Sequence, residues 1–139
     1  MKINKVVVIG SGTMGSGIAA QLCNASVPVT LLDLTTEISE KARDRILKSR
    51  PPLLLDKSKI NNINVGNIND NFNEVGEADG IVEAVVERID IKHNIYEKIF
   101  KERKKGSIVS SNTSSIPIKV LSEKLSDEEK KRFLYNSLL

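Results

Sequence analysis

The chain has 139 residues, of which 40% are hydrophobic and 28% are charged. A chain of this length can bury one hydrophobic core but not two ordinary ones, and its composition excludes a disordered or low-complexity protein. The net charge of +3 comes from dispersed basic residues, apart from a cluster at the end of a predicted helix, so we expect no nucleic-acid partner. Cys23, the only cysteine, cannot form an internal disulfide and is predicted to be a buried thiol.

Between Lys5 and Asp33 the chain has no charged residue, as in a membrane span or a signal peptide. Glycines, polar residues and Pro28 interrupt this stretch, however. Its apolar runs are much shorter than the roughly 20 residues that a span requires. The sequence therefore predicts a cytoplasmic protein with no membrane partner.

Strand-like and helix-like segments alternate along the chain. Val6–Ile9 is a continuous β-branched run, which is typical of a strand buried on both faces. Apolar residues then recur at helical spacing over positions 18–25. The next predicted elements are a strand at 29–32 that ends at Asp33, a helix over 38–49 stopped by Pro51, an irregular stretch at 53–62 and a weak strand at 63–65.

The second half of the chain continues this alternation. The predicted elements are a strand at 81–86, a helix over 91–104, a strand at 107–110, a helix capped by Ser115, a helical turn at 127–131 and a last strand at 133–135. This order is typical of a doubly wound α/β protein. Right-handed crossovers predict a Rossmann fold with a mainly parallel sheet of about six strands in the order 3-2-1-4-5-6. Residues 1–139 are predicted to form one dinucleotide-binding domain.

A glycine-rich loop, Gly10-x-Gly12-x-x-Gly15, joins the first strand to the first helix. Gly10 permits the tight turn, Gly12 lets the backbone approach a pyrophosphate, and Gly15 allows the helix and the strand to pack closely. The N–H groups near Thr13 and Met14 then point at the phosphates from a helix N-terminus. The loop therefore predicts a dinucleotide site.

Asp33 ends the second strand, 23 residues after Gly10. This spacing is close to the roughly 20 residues expected for the acid that binds the adenosine ribose. Because the carboxylate would repel a 2′-phosphate, the predicted cofactor is NAD and not NADP. The alternative is a structural glycine turn followed by an unrelated surface aspartate. No metal site is predicted.

Four segments resemble 3-hydroxyacyl-CoA dehydrogenases, in the same order. They are residues 6–20 with I-G-S-G-T-M-G-S-G-I-A, 66–72 with G-N-I before Asp70 and Phe72, 82–92 with V-E-A-V-V-E-R before D-I-K, and 109–117 with V-S-S-N-T-S-S-I-P. The short link at 48–52 resembles the subgroup found in larger, sometimes multifunctional β-oxidation enzymes.

The resemblance implies roles for five residues. Ala84, Glu87 and Lys92 would line the cofactor groove, Lys92 as a cation near the polar groups of the cofactor. Asn112 would hydrogen-bond near the nicotinamide ribose, and Ser114 would hydrogen-bond the 3-oxygen of the substrate in the catalytic site. The alternatives are that Glu87 and Lys92 are solvated helix-entry charges, and that residues 112–115 form only a polar turn.

The sequence departs from the family near its end. In the family, the chain continues into a His-Phe-Phe-Asn-Pro motif whose histidine is the general base, and then into a helical domain for substrate binding and dimerisation. Here Ser137 stands where the histidine is expected. The only histidine, His93, is predicted to be a half-exposed helix residue. We therefore expect a chain truncated before the catalytic histidine, without the helical domain.

Two hypotheses for function follow. In the first, the chain is the NAD-binding domain of a 3-hydroxyacyl-CoA dehydrogenase, an enzyme that oxidises 3-hydroxyacyl-CoA to 3-oxoacyl-CoA in fatty acid β-oxidation. Acyl-CoA would then be a substrate only if a further domain completes the site. In the second, the chain is a non-catalytic module that binds NAD. Self-association into a homo-oligomer is also expected, through a predicted apolar patch of Phe133, Leu134, Leu138 and Leu139.

Overall fold

A computed structural model describes residues 3–112, 118–131 and 133–135. The strands are β1 Val6–Ile9, β2 Val29–Asp33, β3 Ile63–Asn67, β4 Gly80–Glu83, β5 Ile108–Ser111 and β6 Phe133–Tyr135. The helices are α1 Thr13–Asn24, α2 Thr36–Lys48, α3 Ile89–Glu102, α4 Ile118–Leu121 and α5 Asp127–Lys131. The sheet has the strand order β3-β2-β1-β4-β5-β6, and every pairing is parallel. The predicted order 3-2-1-4-5 is confirmed, and β6 pairs through its backbone with β5.

Strand β1 divides the hydrophobic core into two layers because successive side chains point to opposite faces of the sheet. Val6 and Val8 pack in the layer that contains α1 and α2, whereas Val7 and Ile9 pack in the layer that contains α3 and α4. All four side chains are buried. The apolar run at the start of the sequence is therefore explained by helices on both faces, as predicted for a doubly wound fold.

Cys23 lies in the first of these layers and is fully buried, as predicted. Its thiol contacts the Lys59 carbonyl oxygen at 2.8 Å. Burial raises the pKa of the thiol. The side chain therefore behaves as a small apolar group of the core.

Several element boundaries differ from those predicted. The strand expected over 81–86 ends at Glu83, and the strand expected over 107–110 is β5, shifted by one residue. The stretch expected to be irregular contains a 3-10 helix, Lys57–Asn62, whose start is capped by the Asp56 carboxylate, and a second 3-10 helix covers Phe72–Glu77. Short polar 3-10 segments have no apolar periodicity, so the sequence pattern did not reveal them.

At the amino end of the sheet, Asp79 fastens β4 to its surroundings. Its carboxylate accepts hydrogen bonds from the backbone N–H groups of Asn4 and Lys5, at 2.8 and 3.2 Å. The Lys104 ammonium lies 2.6 Å from the same carboxylate. The hydrogen bond from Lys104 holds the pKa of Asp79 below its ordinary value.

Two predictions lie outside the residues described. The helix cap at Ser115 is one, and the apolar patch is the other, because the structure describes no side chain at 133–139. Within the described ranges, no helix combines the length and apolar character required to cross a membrane.

Candidate functional site

A groove of about 610 Å³ lies at the carboxyl edge of the sheet. Its volume is within the roughly 300–1,000 Å³ usual for small-ligand sites. We call it the carboxyl-edge groove. It is lined by Gly10, Ser11, Gly12, Thr13, Met14, Asp33, Leu34, Ile38, Arg45, Ile68, Ala84, Val85, Val86, Glu87, Ile91, Ile95 and Asn112. Most of these residues end or directly follow one of the strands β1 to β5, and the others belong to the helices α1, α2 and α3. The carboxyl end of the strands is where ligands bind in open α/β sheets.

The glycine loop crosses from β1 to α1 in very little space. Gly10 has a backbone φ of +103°, a conformation that residues with a Cβ rarely adopt. A Cβ on Gly15 would lie 2.8 Å from the Gly10 carbonyl carbon and 3.5 Å from the Ala84 Cβ. The start of α1 therefore packs directly on the turn after β1, as the motif predicted.

Gly12 differs from these two glycines because its surroundings are open. A Cβ placed on Gly12 would meet no atom within 4 Å of the described chain. Gly12 is also the N-cap residue of α1, and with no side chain it cannot cap the first N–H groups of the helix. By contrast, the Thr35 hydroxyl at the start of α2 accepts the N–H of Ile38 at 3.2 Å. The start of α1 thus leaves room in the groove for an anionic ligand.

Asp33 holds the glycine loop to the end of β2. Its Oδ2 accepts the Ser11 backbone N–H at 2.7 Å and the Ser11 hydroxyl at 2.5 Å, while Oδ1 accepts the Leu34 N–H at 2.7 Å. The Arg45 guanidinium donates to the Ser11 carbonyl oxygen at 3.0 Å. Sequence reasoning assigned no role to Ser11 or Arg45. The helical spacing of Arg45 from Ile38, which also lines the groove, was the signal that could have placed Arg45 there.

At the other end of the groove, the chain leaves the sheet directly after Glu83. Ala84, Val85, Val86 and Glu87 form one wall, and Asn112 stands on the neighbouring wall, one residue after β5. The Asn112 N–H donates to the Glu83 carbonyl oxygen at 2.8 Å. Ala84, Glu87 and Asn112 therefore line the same groove as the glycine loop and Asp33.

Beneath this end lies a group of four buried polar side chains, which we call the Glu83 cluster: Glu83, Lys92, Tyr96 and Ser111. Lys92 donates to Glu83 Oε2 at 2.5 Å, and the Tyr96 and Ser111 hydroxyls each donate to Glu83 Oε1 at 2.6 Å. Burial and the adjacent Glu83 carboxylate raise the pKa of Tyr96. Tyr96 therefore remains a protonated hydrogen-bond donor.

Lys92 does not line the groove, so its predicted position was wrong. Its side chain is 0% exposed and it is not among the residues that line the groove. Its ammonium lies 3.2 Å from the Glu87 carboxylate and donates to the Val85 carbonyl oxygen at 3.3 Å, behind the groove wall. Lys92 is drawn inward because Glu83, nine residues earlier, gives it a buried counter-charge.

Two other residues considered in the sequence, Gly15 and His93, do not line the groove. Gly15 lies under the loop and does not line the groove. Ser114 lies outside the described residues. His93 borders a separate surface cavity formed by α3, α4 and α5, with its ring Nε2 2.8 Å from the Val120 carbonyl oxygen. The His93 side chain is 8% exposed, so it is more buried than predicted.

Comparison with known proteins agrees with this geometry. The sequence-family model named 3-hydroxyacyl-CoA dehydrogenase, NAD binding domain, matches residues 5–135. A probable 3-hydroxyacyl-CoA dehydrogenase of Deinococcus radiodurans is 40% identical over 96% of this chain and 41% of its own length. A peroxisomal fatty acid beta-oxidation multifunctional protein of Arabidopsis thaliana is 36% identical over 92% of this chain and 18% of its own length.

Solved structures give the same result. The crystal structure of 3-hydroxybutyryl-CoA dehydrogenase from Escherichia coli superposes with a TM-score of 0.83 and 26% identity, over 97% of this chain and 29% of that one. The chain thus spans less than half the length of these proteins. Because the matching model describes an NAD binding domain, the predicted cofactor is confirmed as NAD. The chain belongs to the 3-hydroxyacyl-CoA dehydrogenase NAD binding domain family.

Proposed function

We propose that this chain binds NAD in the carboxyl-edge groove and forms the NAD-binding part of a 3-hydroxyacyl-CoA dehydrogenase. The observation that carries the proposal is the convergence of Gly12, Asp33 and Asn112 on one groove from three different strand ends. A bound NAD would supply the acceptor for the hydride that is removed from the 3-carbon of the alcohol. The residues of the chain hold and orient the cofactor.

The glycine-loop end of the groove suits the adenosine and pyrophosphate part. The N–H groups near Thr13 and Met14 stand at the start of a twelve-residue helix, where both the free donors and the helix dipole favour phosphate. Asp33 lines this end and would accept a ribose hydroxyl. Its carboxylate disfavours a 2′-phosphate by like-charge repulsion.

The opposite end suits the nicotinamide part. Ala84 and Glu87 border it on one side and Asn112 on the other. Lys92 acts there through Glu87 and the backbone of Val85, which it contacts from behind. Ser114, two residues beyond Asn112, is proposed to hydrogen-bond the 3-oxygen of an acyl-CoA substrate once a further domain completes the acyl site. We also propose that the protein is cytoplasmic and homo-oligomeric.

A second candidate function is a module that holds NAD without catalysis. It is favoured by the position of His93, which is the only histidine of the sequence and borders a cavity on another face of α3. Oxidation of the alcohol requires a base to take the hydroxyl proton. No histidine of this chain lines the groove where that proton would be released.

Calorimetric titration with NAD and NADP tests the proposal. We expect NAD to bind about tenfold or more tightly than NADP, because one charge-assisted hydrogen bond to Asp33 is replaced by repulsion. We also expect Gly12→Ala to weaken NAD binding about tenfold, since its Cβ would occupy the space required by the pyrophosphate.

Gly17→Ala is the matched control. Gly17 also lies in α1, and a Cβ there likewise meets no atom within 4 Å of the described chain. The control should bind NAD like the unmodified chain. Absence of NAD binding by the unmodified chain would refute the proposal, as would equal affinity of Gly12→Ala and Gly17→Ala.

A further inference from the structure

We propose that Glu83 is a positioning residue that sets the distance between the two walls of the nicotinamide end of the groove. Glu83 does not face the ligand, because it is 0% exposed and does not line the groove. It acts through Val85, Lys92, Tyr96 and Ser111. This inference rests on the proposed function, since it assigns a role within the same cofactor site.

The two carboxylate oxygens of Glu83 serve different elements. Oε2 accepts the backbone N–H of Val85 at 2.8 Å and the Lys92 ammonium at 2.5 Å. These bonds hold the segment after β4, which forms one wall. Oε1 accepts the hydroxyls of Ser111 and Tyr96, each at 2.6 Å, and the two hydroxyls lie 3.0 Å apart. Ser111 directly precedes Asn112 on the other wall.

The Glu83 backbone adds a third connection. Its carbonyl oxygen accepts the Asn112 N–H at 2.8 Å. One residue therefore binds both the segment that leaves β4 and the segment that leaves β5. A change in the side chain of Glu83 alters the wall on each side without removing any atom that faces the ligand.

The charges of the cluster explain why the carboxylate is retained in a buried place. Lys92 lies between Glu83 and Glu87, at 2.5 and 3.2 Å, so its positive charge compensates the buried Glu83. The Glu83 carboxylate accepts four hydrogen bonds, from the Val85 N–H and from the side chains of Lys92, Tyr96 and Ser111. A charge can be kept in a low-dielectric interior when it is paired and hydrogen-bonded in this way. A neutral side chain at position 83 would leave Lys92 with the Glu87 carboxylate and the Val85 carbonyl oxygen, and Glu87 would then be drawn away from the groove toward Lys92.

The cluster is confined to one end of the groove. Its four members belong to β4, α3 and β5, whereas the glycine loop and Asp33 follow β1 and β2. Removing a bond of the cluster should therefore weaken the binding of NAD but not the binding of ADP, which contains only the adenosine and pyrophosphate part. A purely structural role for Glu83 would change both affinities in parallel.

The experiment compares NAD and ADP titrations for Tyr96→Phe, Ser111→Ala and Glu83→Gln. We expect each of the two hydroxyl deletions to weaken NAD binding about fivefold, as for the loss of one buried hydrogen bond, and to leave ADP affinity within about twofold. For Glu83→Gln we expect a loss of about tenfold or more for NAD. The hydroxyl variants keep the test valid if Glu83→Gln does not fold.

Asp79→Asn is the matched control, because Asp79 fastens the same strand at its opposite end through a carboxylate and a lysine. It should lower the unfolding temperature without changing the ratio of NAD to ADP affinity. An equal loss for NAD and ADP in the cluster variants would overturn the inference, as would unchanged NAD affinity. If the unmodified chain binds ADP but not NAD, or neither ligand, the proposed function itself fails.

Discussion

The two ends of the carboxyl-edge groove are built in different ways. At the end formed by β1 and β2, the backbone of the glycine loop defines the surface, and Asp33 fixes the loop through two hydrogen bonds to Ser11. At the end formed by β4 and β5, the surface is a short irregular segment and Asn112, and it is supported from below by the Glu83 cluster. One end depends on the absence of side chains, and the other depends on buried charged ones.

This difference determines how each end can fail. The glycine loop has no spare space around Gly10 and Gly15, so added atoms disrupt it. The Glu83 cluster is satisfied only when every partner is present, so removed atoms disrupt it. Substitutions can therefore separate the contributions of the two ends to binding and stability.

The largest expected effect is on the rate of catalysis, because neither end of the groove has, among the residues described, a histidine that could act as general acid or base. We expect the 139-residue chain to reduce acetoacetyl-CoA at least about 100-fold more slowly than an ordinary dehydrogenase, because His93 borders another cavity and the lack of a general acid or base at the reacting atoms typically costs about 10²–10⁴ in rate. NADH absorbance measures the rate at saturating NADH. Turnover within about tenfold of an ordinary dehydrogenase would contradict the placement of His93 away from the reaction and favour an acid or base elsewhere in the chain.

The next effect is steric and belongs to the glycine-loop end. Gly15→Ala should lower the free energy of unfolding by about 3 kcal/mol or more, because its Cβ would overlap the Gly10 carbonyl group and neither backbone can move away freely. Thermal unfolding followed by circular dichroism measures the change. Gly17→Ala, in the same helix, should instead be neutral or stabilising by up to about 1 kcal/mol. Equal stability of the two variants would show that the loop can relax.

A smaller effect is expected from the charge at the same end. Asp33→Asn should weaken NAD binding about tenfold and narrow the preference for NAD over NADP, since the repulsion of a 2′-phosphate disappears. Ser11→Ala is the matched variant, because it removes one bond to Asp33 and keeps the carboxylate. It should keep the preference for NAD. A preference that is lost in both variants would assign selectivity to the loop geometry and not to the charge.

The smallest expected effect is a pH dependence of the unfolding free energy that arises from Tyr96 in the Glu83 cluster. Tyr96 has a raised pKa in the folded state, so it stays protonated when the tyrosine of the unfolded chain begins to ionise near pH 10. Its contribution to stability is therefore fully present below pH 10 and is lost as the pH rises above it. The unfolding free energy should fall by up to about 1.4 kcal/mol per pH unit from this group. Urea unfolding of Tyr96→Phe should lack this part of the slope, and identical slopes would refute the assignment.

The glycine-loop end could be predicted from the sequence because its signals are local. Gly10, Gly12 and Gly15 have fixed spacing, and Asp33 lies at the end of the next apolar run. The buried pattern of β1 likewise predicted helices on both faces of the sheet. Backbone-driven features of this kind depend on residues that are close in sequence or on simple periodicity.

The Glu83 cluster could not be predicted in this way. Glu83 is separated from Lys92, Tyr96 and Ser111 by 9, 13 and 28 residues. Each of the four is unremarkable alone, as a polar residue at a strand end or on a helix. The resemblance to 3-hydroxyacyl-CoA dehydrogenases placed Lys92 at the groove surface, and its buried partner Glu83 became evident only when α3 was packed on β4.

Tyr96 also gives the molecule a built-in optical signal. The chain contains no tryptophan and two tyrosines, so tyrosine absorbance and emission are not masked by indole. The Tyr96 hydroxyl donates to a carboxylate at 2.6 Å inside the protein. A phenol held in this way absorbs at longer wavelength and emits weakly, because the carboxylate accepts its proton in the excited state. Opening of the cluster should brighten the emission, so fluorescence can follow the end of the groove formed by β4 and β5 without any attached label.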